Sequence, residues 1–170
     1  KTLEGSRRRC HHSGTTAMTD MEVDAAPTLQ VFGANESGQL GLEAADSVPT
    51  PSIPITLQSQ QIVSVAFGLC HALWLTSEGV VVVSGLNDVG QCGMSNPEQV
   101  LTPTRLEALA TKRVQQISAG AAFSATVTDQ GEVLTFGAND FGQCGQGEGA
   151  ALELKKPRLV KGLPVACNAA

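Results

Sequence analysis

Three amides and three carboxylates recur at one fixed interval in this chain, and the interval limits the chemistry open to them. Gln39, Gln91 and Gln143 stand 52 residues apart, and Glu36, Asp88 and Asp140 each lie three positions before one of them. Carboxylates gathered together could form an acidic rim; on separate turns each is an ordinary solvated side chain, and that reading is favoured. A glutamine amide both donates and accepts. Each therefore either ties down backbone groups of its own loop, the favoured reading, or binds a ligand. His71 is the histidine of the repeating region, and its counterpart 52 residues on is Phe123. A site that takes an apolar ring is one for packing between strands, not for moving protons.

Other candidates carry less. Of the five cysteines, Cys92 and Cys144 share a repeat position with Leu40, while Cys10, Cys70 and Cys167 stand alone. A position open to Leu or Cys suits a buried thiol better than a disulfide or a metal ligand, and no C-x-x-C occurs. Cys10, His11 and His12 are adjacent, which seldom makes a complete metal site. The stretch Gly145-Gln-Gly147-Glu-Gly149 lacks the lysine of a phosphate loop, so it reads as a loop extension. No G-x-S-x-G elbow occurs. The expectation is no catalytic residue, no cofactor and no metal.

The elements that position these residues are written in the repeat itself. The pattern G-x-N-x-x-G-Q-x-G occurs at Gly33, Asn35, Gly38, Gln39, Gly41; at Gly85, Asn87, Gly90, Gln91, Gly93; and at Gly137, Asn139, Gly142, Gln143, Gly145. Gly68 with Gly120, Gly79 with Gly131, Thr76 with Thr128 and Thr50-Pro51 with Thr102-Pro103 keep the same 52-residue spacing. Markers this far in register signify a repeat architecture. Short runs of β-formers fill the intervals. Examples are 62–66, 72–76 and 80–84, then 114–118, 125–128 and 132–136, with Gly-containing turns at 77–79 and 129–131. Such runs read as antiparallel hairpins. Val80 to Val83 lacks polar alternation, which predicts a strand covered on both faces. Glu98 to Lys112 is the best helix candidate, but Pro103 interrupts it. In the nonamer, Asn or Asp can bond its own following backbone, and the glycine after it accepts positive φ.

Composition sets the outer limits. The 170 residues are 42% apolar and only 16% charged, and 13 of the 18 glycines occupy recurring positions. The net charge is −5, with no Lys or Arg between Cys10 and Thr104 against nine acidic residues. Direct nucleic-acid binding, which needs a concentrated basic face, is not expected. The longest apolar stretch, Ile62 to Leu75, has 14 residues and is too short for a membrane span. Residues 1–28 show no periodicity and are expected to be a disordered tail, with Met18 or Met21 as candidate starts. Within that tail Arg7-Arg8-Arg9 could be half of a nuclear-import patch, but three basic residues are a short run and a disordered tail is the favoured reading.

The chain resembles the regulator of chromosome condensation repeat family. The likeness runs through Ile62-Val-Ser-Val-Ala-x-Gly68-x-x-His71-x-Leu73, Thr76-x-x-Gly79-x-Val81, Ser84-Gly85-x-Asn87-x-x-Gly90-Gln91-x-Gly93 and Thr102-Pro103, and it covers about Val31 to Pro164. It implies an all-β fold, a β-propeller of which residues 29–170 supply about three of seven four-stranded blades. Where the family usually shows His-Ser, this chain has His71-Ala72 and Phe123-Ser124. A partial ring leaves strand edges open, so the sequence is expected to be a fragment of a longer chain whose remaining repeats complete it. The resemblance implies an interaction or scaffold module with protein partners. Its alternative is guanine-nucleotide exchange on a small, Ran-like GTPase, as the founding member performs, and no exchange residue can be carried over. The expected location is cytoplasmic, nuclear or both.

Overall fold

The computed structural model describes residues 29–42 and 47–163. The expected tail, with Arg7 to His12 inside it, and Cys167 lie outside the described residues. The strands run β1 (Val31–Gly33), β2 (Val48–Ser52), β3 (Ile62–Phe67), β4 (His71–Thr76), β5 (Val81–Leu86), β6 (Gln99–Arg105), β7 (Val114–Ala119), β8 (Phe123–Thr128), β9 (Val133–Ala138) and β10 (Glu153–Leu159). They form one pair, β1-β2, and two four-stranded antiparallel meanders, β3-β4-β5-β6 and β7-β8-β9-β10. We call these units blades 1, 2 and 3.

The two complete blades repeat each other in register. Leu73 pairs with Val83 in blade 2, and Ala125 pairs with Thr135 in blade 3. Both β-turns close the same way. Gly79 N–H donates to Thr76 O at 2.9 Å and Gly131 N–H to Thr128 O at 3.0 Å. The region 98–112, the best helix candidate in the sequence, instead forms β6 and a short 3-10 turn at Glu107–Leu109. Pro103 lies inside β6, where it is tolerated because β6 is the edge of its sheet and need not donate outward.

Packing follows from alternation along β4, all six residues of which are buried. One face, Ala72 and Trp74 with Val82 of β5, packs with Val31, Leu40 and Leu57 of the blade 1 side. The other, Leu73 and Leu75 with Val81 and Val83, packs with Val114, Leu134 and Phe136 of blade 3. Blade 2 is thus covered on both faces, which is why Val81 to Val83 carries no polar residue. Each large apolar side chain so enclosed contributes roughly 1.5–3 kcal/mol. No described helix is long and apolar enough to cross a membrane.

Candidate functional site

Each nonamer folds as one turn followed by a second. Gly38, Gly90 and Gly142 N–H groups donate to the carbonyls of Asn35, Asn87 and Asn139 at 2.8, 3.1 and 3.1 Å. Gly41, Gly93 and Gly145 then donate to those same glycines at 3.0, 2.8 and 2.9 Å. The asparagines do more than bond their own turns. Their Oδ1 atoms accept from the N–H of Leu40, Cys92 and Cys144, five residues on, at 2.9, 3.0 and 3.0 Å. Their Nδ2 groups donate to the returning loop, at Leu42 O, at Met94 O and Pro97 O, and at Ala151 O. The glutamine Oε1 atoms accept from the N–H of Ser37, Val89 and Phe141 at 3.0, 3.1 and 2.8 Å. The side-chain oxygens of the motif asparagines and glutamines, and the asparagine Nδ2 groups, are therefore engaged inside their own loops.

Two of the three remaining motif glycines admit close neighbours. A Cβ on Gly85 would lie 2.3 Å from Cys70 O, and one on Gly137 2.5 Å from Ala122 O. Gly68 and Gly120 lie under the rings of His71 and Phe123, where a Cβ would come within 2.1 Å. Gly33, at the end of β1, has no neighbour of this kind within 4 Å.

The nonamers also bind successive blades together. Gly38 abuts Leu101 of β6, and Gly90 abuts Lys155 of β10, so each loop lies against the outer strand of the next blade. At both contacts a buried hydroxyl captures the carbonyl of the motif glutamine. Between blades 1 and 2, Ser84 Oγ donates to Gln39 O at 3.1 Å and accepts from Trp74 Nε1–H at 3.1 Å. Between blades 2 and 3, Ser124 Oγ donates to Gln91 O at 2.7 Å and lies 2.9 Å from His71 Nε2. Because the Ser124 proton goes to the carbonyl, Nε2 carries the imidazole hydrogen. His71 Nδ1 is then a buried acceptor without a partner. Burial holds the imidazole at a pKa of about 4, so it stays neutral under ordinary conditions.

Among the described residues no acid–base or nucleophilic assembly surrounds these groups. Burial pushes the Cys92 thiol up to about 12 and also raises Cys144, against a smaller opposing effect of its contact with Thr135. Among the described residues no group of His, Cys, Asp and Glu could hold a metal ion. Glu36, Asp88 and Asp140 are all exposed, one on each motif loop, and Asp88 Oδ1 accepts from Gln91 Nε2 at 2.9 Å. The Gly145–Gly147 stretch borders a hollow with Gln146, Arg158 and Lys161.

The hydroxyl ties were not visible in the sequence. His71 and Ser124 are 53 residues apart, and only the splitting of the family's His-Ser pair between His71-Ala72 and Phe123-Ser124 hints at them. Each half of the pair survives where the blade 2–blade 3 contact uses it.

Two sequence profiles described as "Regulator of chromosome condensation (RCC1) repeat" match the chain, one over residues 78–127 and 130–168 and the other over 114–143. The bovine protein named "Secretion-regulating guanine nucleotide exchange factor" is 34% identical over 146 residues, covering 81% of this chain and 32% of that protein. The Arabidopsis thaliana "Ultraviolet-B receptor UVR8" is 37% identical over 118 residues, covering 69% of this chain and 27% of its own length. The chain thus spans about a third or less of these relatives. Among solved structures, yeast RCC1 (Prp20) bound to Kap60 superposes with a TM-score of 0.67 at 24% identity, over 76% of this chain and 32% of that one. The blades are part of a propeller of that type, and the chain belongs to the regulator of chromosome condensation (RCC1) repeat family.

Proposed function

We propose that the chain is part of a protein-docking module that performs no covalent chemistry. The observation that supports this most directly is the fate of the motif's polar groups. The side-chain oxygens of Asn35, Asn87, Asn139, Gln39, Gln91 and Gln143 all accept within their own loops, and the buried His71 is held neutral by its surroundings. What remains for recognition is the exposed side chains of the loops and outer strands. A protein partner met in the cytoplasm, the nucleus or both fits this reading.

A second reading, nucleotide exchange on a small GTPase, draws on the bovine relative's name at 34% identity. Exchange needs a surface that favours the nucleotide-free partner, not a bond-making residue, so it suits the same fold. One experiment separates the two. The full-length protein is mixed with a panel of GTPases, Ran-like ones included, each loaded with labelled nucleotide. The docking reading expects release at the intrinsic rate together with a stable partner complex. Accelerated release from one GTPase replaces it with exchange.

A further inference from the structure

Blade 3 differs from blades 1 and 2 in its outer strand. Four cations, Lys155, Lys156, Arg158 and Lys161, fall within seven residues at and after β10. The equivalent strand β6 holds only Arg105, and β2 holds none. The register between β6 and β10 follows from the closing bonds. Leu106 N–H donates to Val81 O and Val160 N–H to Val133 O, both at 2.9 Å. Lys156, Arg158 and Lys161 therefore stand where blade 2 has Thr102, Thr104 and Glu107. Those three blade 2 residues are exposed although blade 3 packs beside them. The positions face solvent at the perimeter whatever lies beyond blade 3.

Lys155 is already engaged, with Glu153 and with the Asp88 carbonyl. Lys156, Arg158 and Lys161 have no hydrogen bond or ion pair among the described residues. Lys156 and Arg158 share one face of the strand, about 7 Å apart. Arg158 and Lys161 also border the hollow beside Gly145–Gly147, where a carboxylate can lie between two cations.

We propose that this rim is a docking edge for a short acidic segment of a protein partner. The proposal rests on the docking reading above and supplies the chemistry of one contact. Charge complementarity selects a short acidic peptide over a nucleic acid. Three free cations neutralise few phosphates, and a long polyanion would also meet a chain of net charge −5 with no Lys or Arg between Cys10 and Thr104. Pro157 removes one N–H from the edge, so the side chains and not an added strand carry the recognition.

The test uses the full-length protein and a fluorescent oligoglutamate peptide, with oligoglutamine as its uncharged counterpart. Saturable binding of oligoglutamate alone is expected, weakening as salt rises from about 50 to about 200 mM. The triple variant Lys156→Glu/Arg158→Glu/Lys161→Glu should bind about tenfold more weakly or worse, with an unchanged melting temperature. Thr102→Lys/Thr104→Arg should create a second site, read as a rise in stoichiometry, and so tests the idea even if the triple variant folds poorly. No saturable binding, equal binding by the triple variant, equal binding of oligoglutamine, or tighter binding of oligo-dT or phosphatidylserine vesicles overturns the proposal. If a partner complex survives in the triple variant while peptide binding is absent from the wild type, the docking reading stands and the rim is excluded.

Discussion

The contact between blades 1 and 2 and that between blades 2 and 3 solve the same problem with different donors. In each, the carbonyl of a motif glutamine is buried at the interface and needs a hydrogen. Ser84 of β5 supplies it to Gln39 O, and Ser124 of β8 supplies it to Gln91 O. In each, the serine oxygen is in turn bonded by an N–H from β4, Trp74 on one face and His71 on the other. The indole does not titrate and the imidazole does. One tie is therefore fixed at every ordinary pH, and its twin carries a latent charge. A repeat fixes what must be satisfied at an interface and leaves free which side chain satisfies it.

The largest expected effect breaks the blade 2–blade 3 contact outright. At φ +87° a Cβ on Gly90 would lie 2.5 Å from Lys155 Cα, backbone that cannot move aside. Gly90→Val should cost about 4 kcal/mol, combining backbone strain with overpacking. Gly142, at φ +72°, has nothing within 4 Å, so Gly142→Val should cost only the strain, about 1–2 kcal/mol. Chemical denaturation of the two variants checks the difference, and equal losses would mean that the loop does not lie against β10.

Acid separates the two contacts next. Above pH 6.5 the folded and unfolded chains both hold a neutral imidazole at position 71, and this group makes stability independent of pH. Below 6.5 the unfolded chain takes up a proton that the folded interface refuses until about pH 4. Stability should fall by about 3 kcal/mol across that window and then level off. His71→Phe, which installs the ring already present at Phe123, should remove this component of the pH dependence. Trp74→Phe should leave it unchanged. Melts between pH 7 and 4 decide whether the asymmetry is real.

Smaller and more nearly equal effects are expected from the two hydroxyls. Ser84→Ala leaves Trp74 Nε1 and Gln39 O without a partner, and Ser124→Ala does the same to His71 Nε2 and Gln91 O. Each should cost about 2 kcal/mol at neutral pH. A double-mutant cycle between Ser124→Ala and His71→Phe should show coupling, whereas Ser124→Ala with Trp74→Phe should be additive. Coupling in the second pair would contradict the assignment of one N–H to each tie.

The architecture was largely legible in the chain because its signals are local. Gly79 and Gly131 close two-strand turns, and Val81 to Val83 is apolar on both sides because it is sandwiched. The asparagine bonds were only half legible. A turn at Asn87 follows from its neighbours, but its reach to Cys92, Met94 and Pro97 depends on how a loop of variable length folds back. In region 98–112 the interrupting Pro103 argues rightly against a helix, but the strand stays hidden, because only a strand that pairs on one edge alone tolerates that proline, and edge position is a tertiary fact. The serine ties were illegible, since Ser84 and Ser124 occupy different strands and different repeat positions. Nothing in a 52-residue comparison aligns them.

The most direct test of the twin-tie account is the protonation of His71 itself. Selective nitrogen labelling of histidine, followed by nuclear magnetic resonance from pH 7.5 downward, reports both tautomer and titration. The account predicts an imidazole with hydrogen on Nε2, neutral through pH 6.5, titrating at about 4. It also predicts that Ser124→Ala perturbs the Nε2 signal and Ser84→Ala does not. A ring that titrates near 6.5, or that carries its hydrogen on Nδ1, would contradict it.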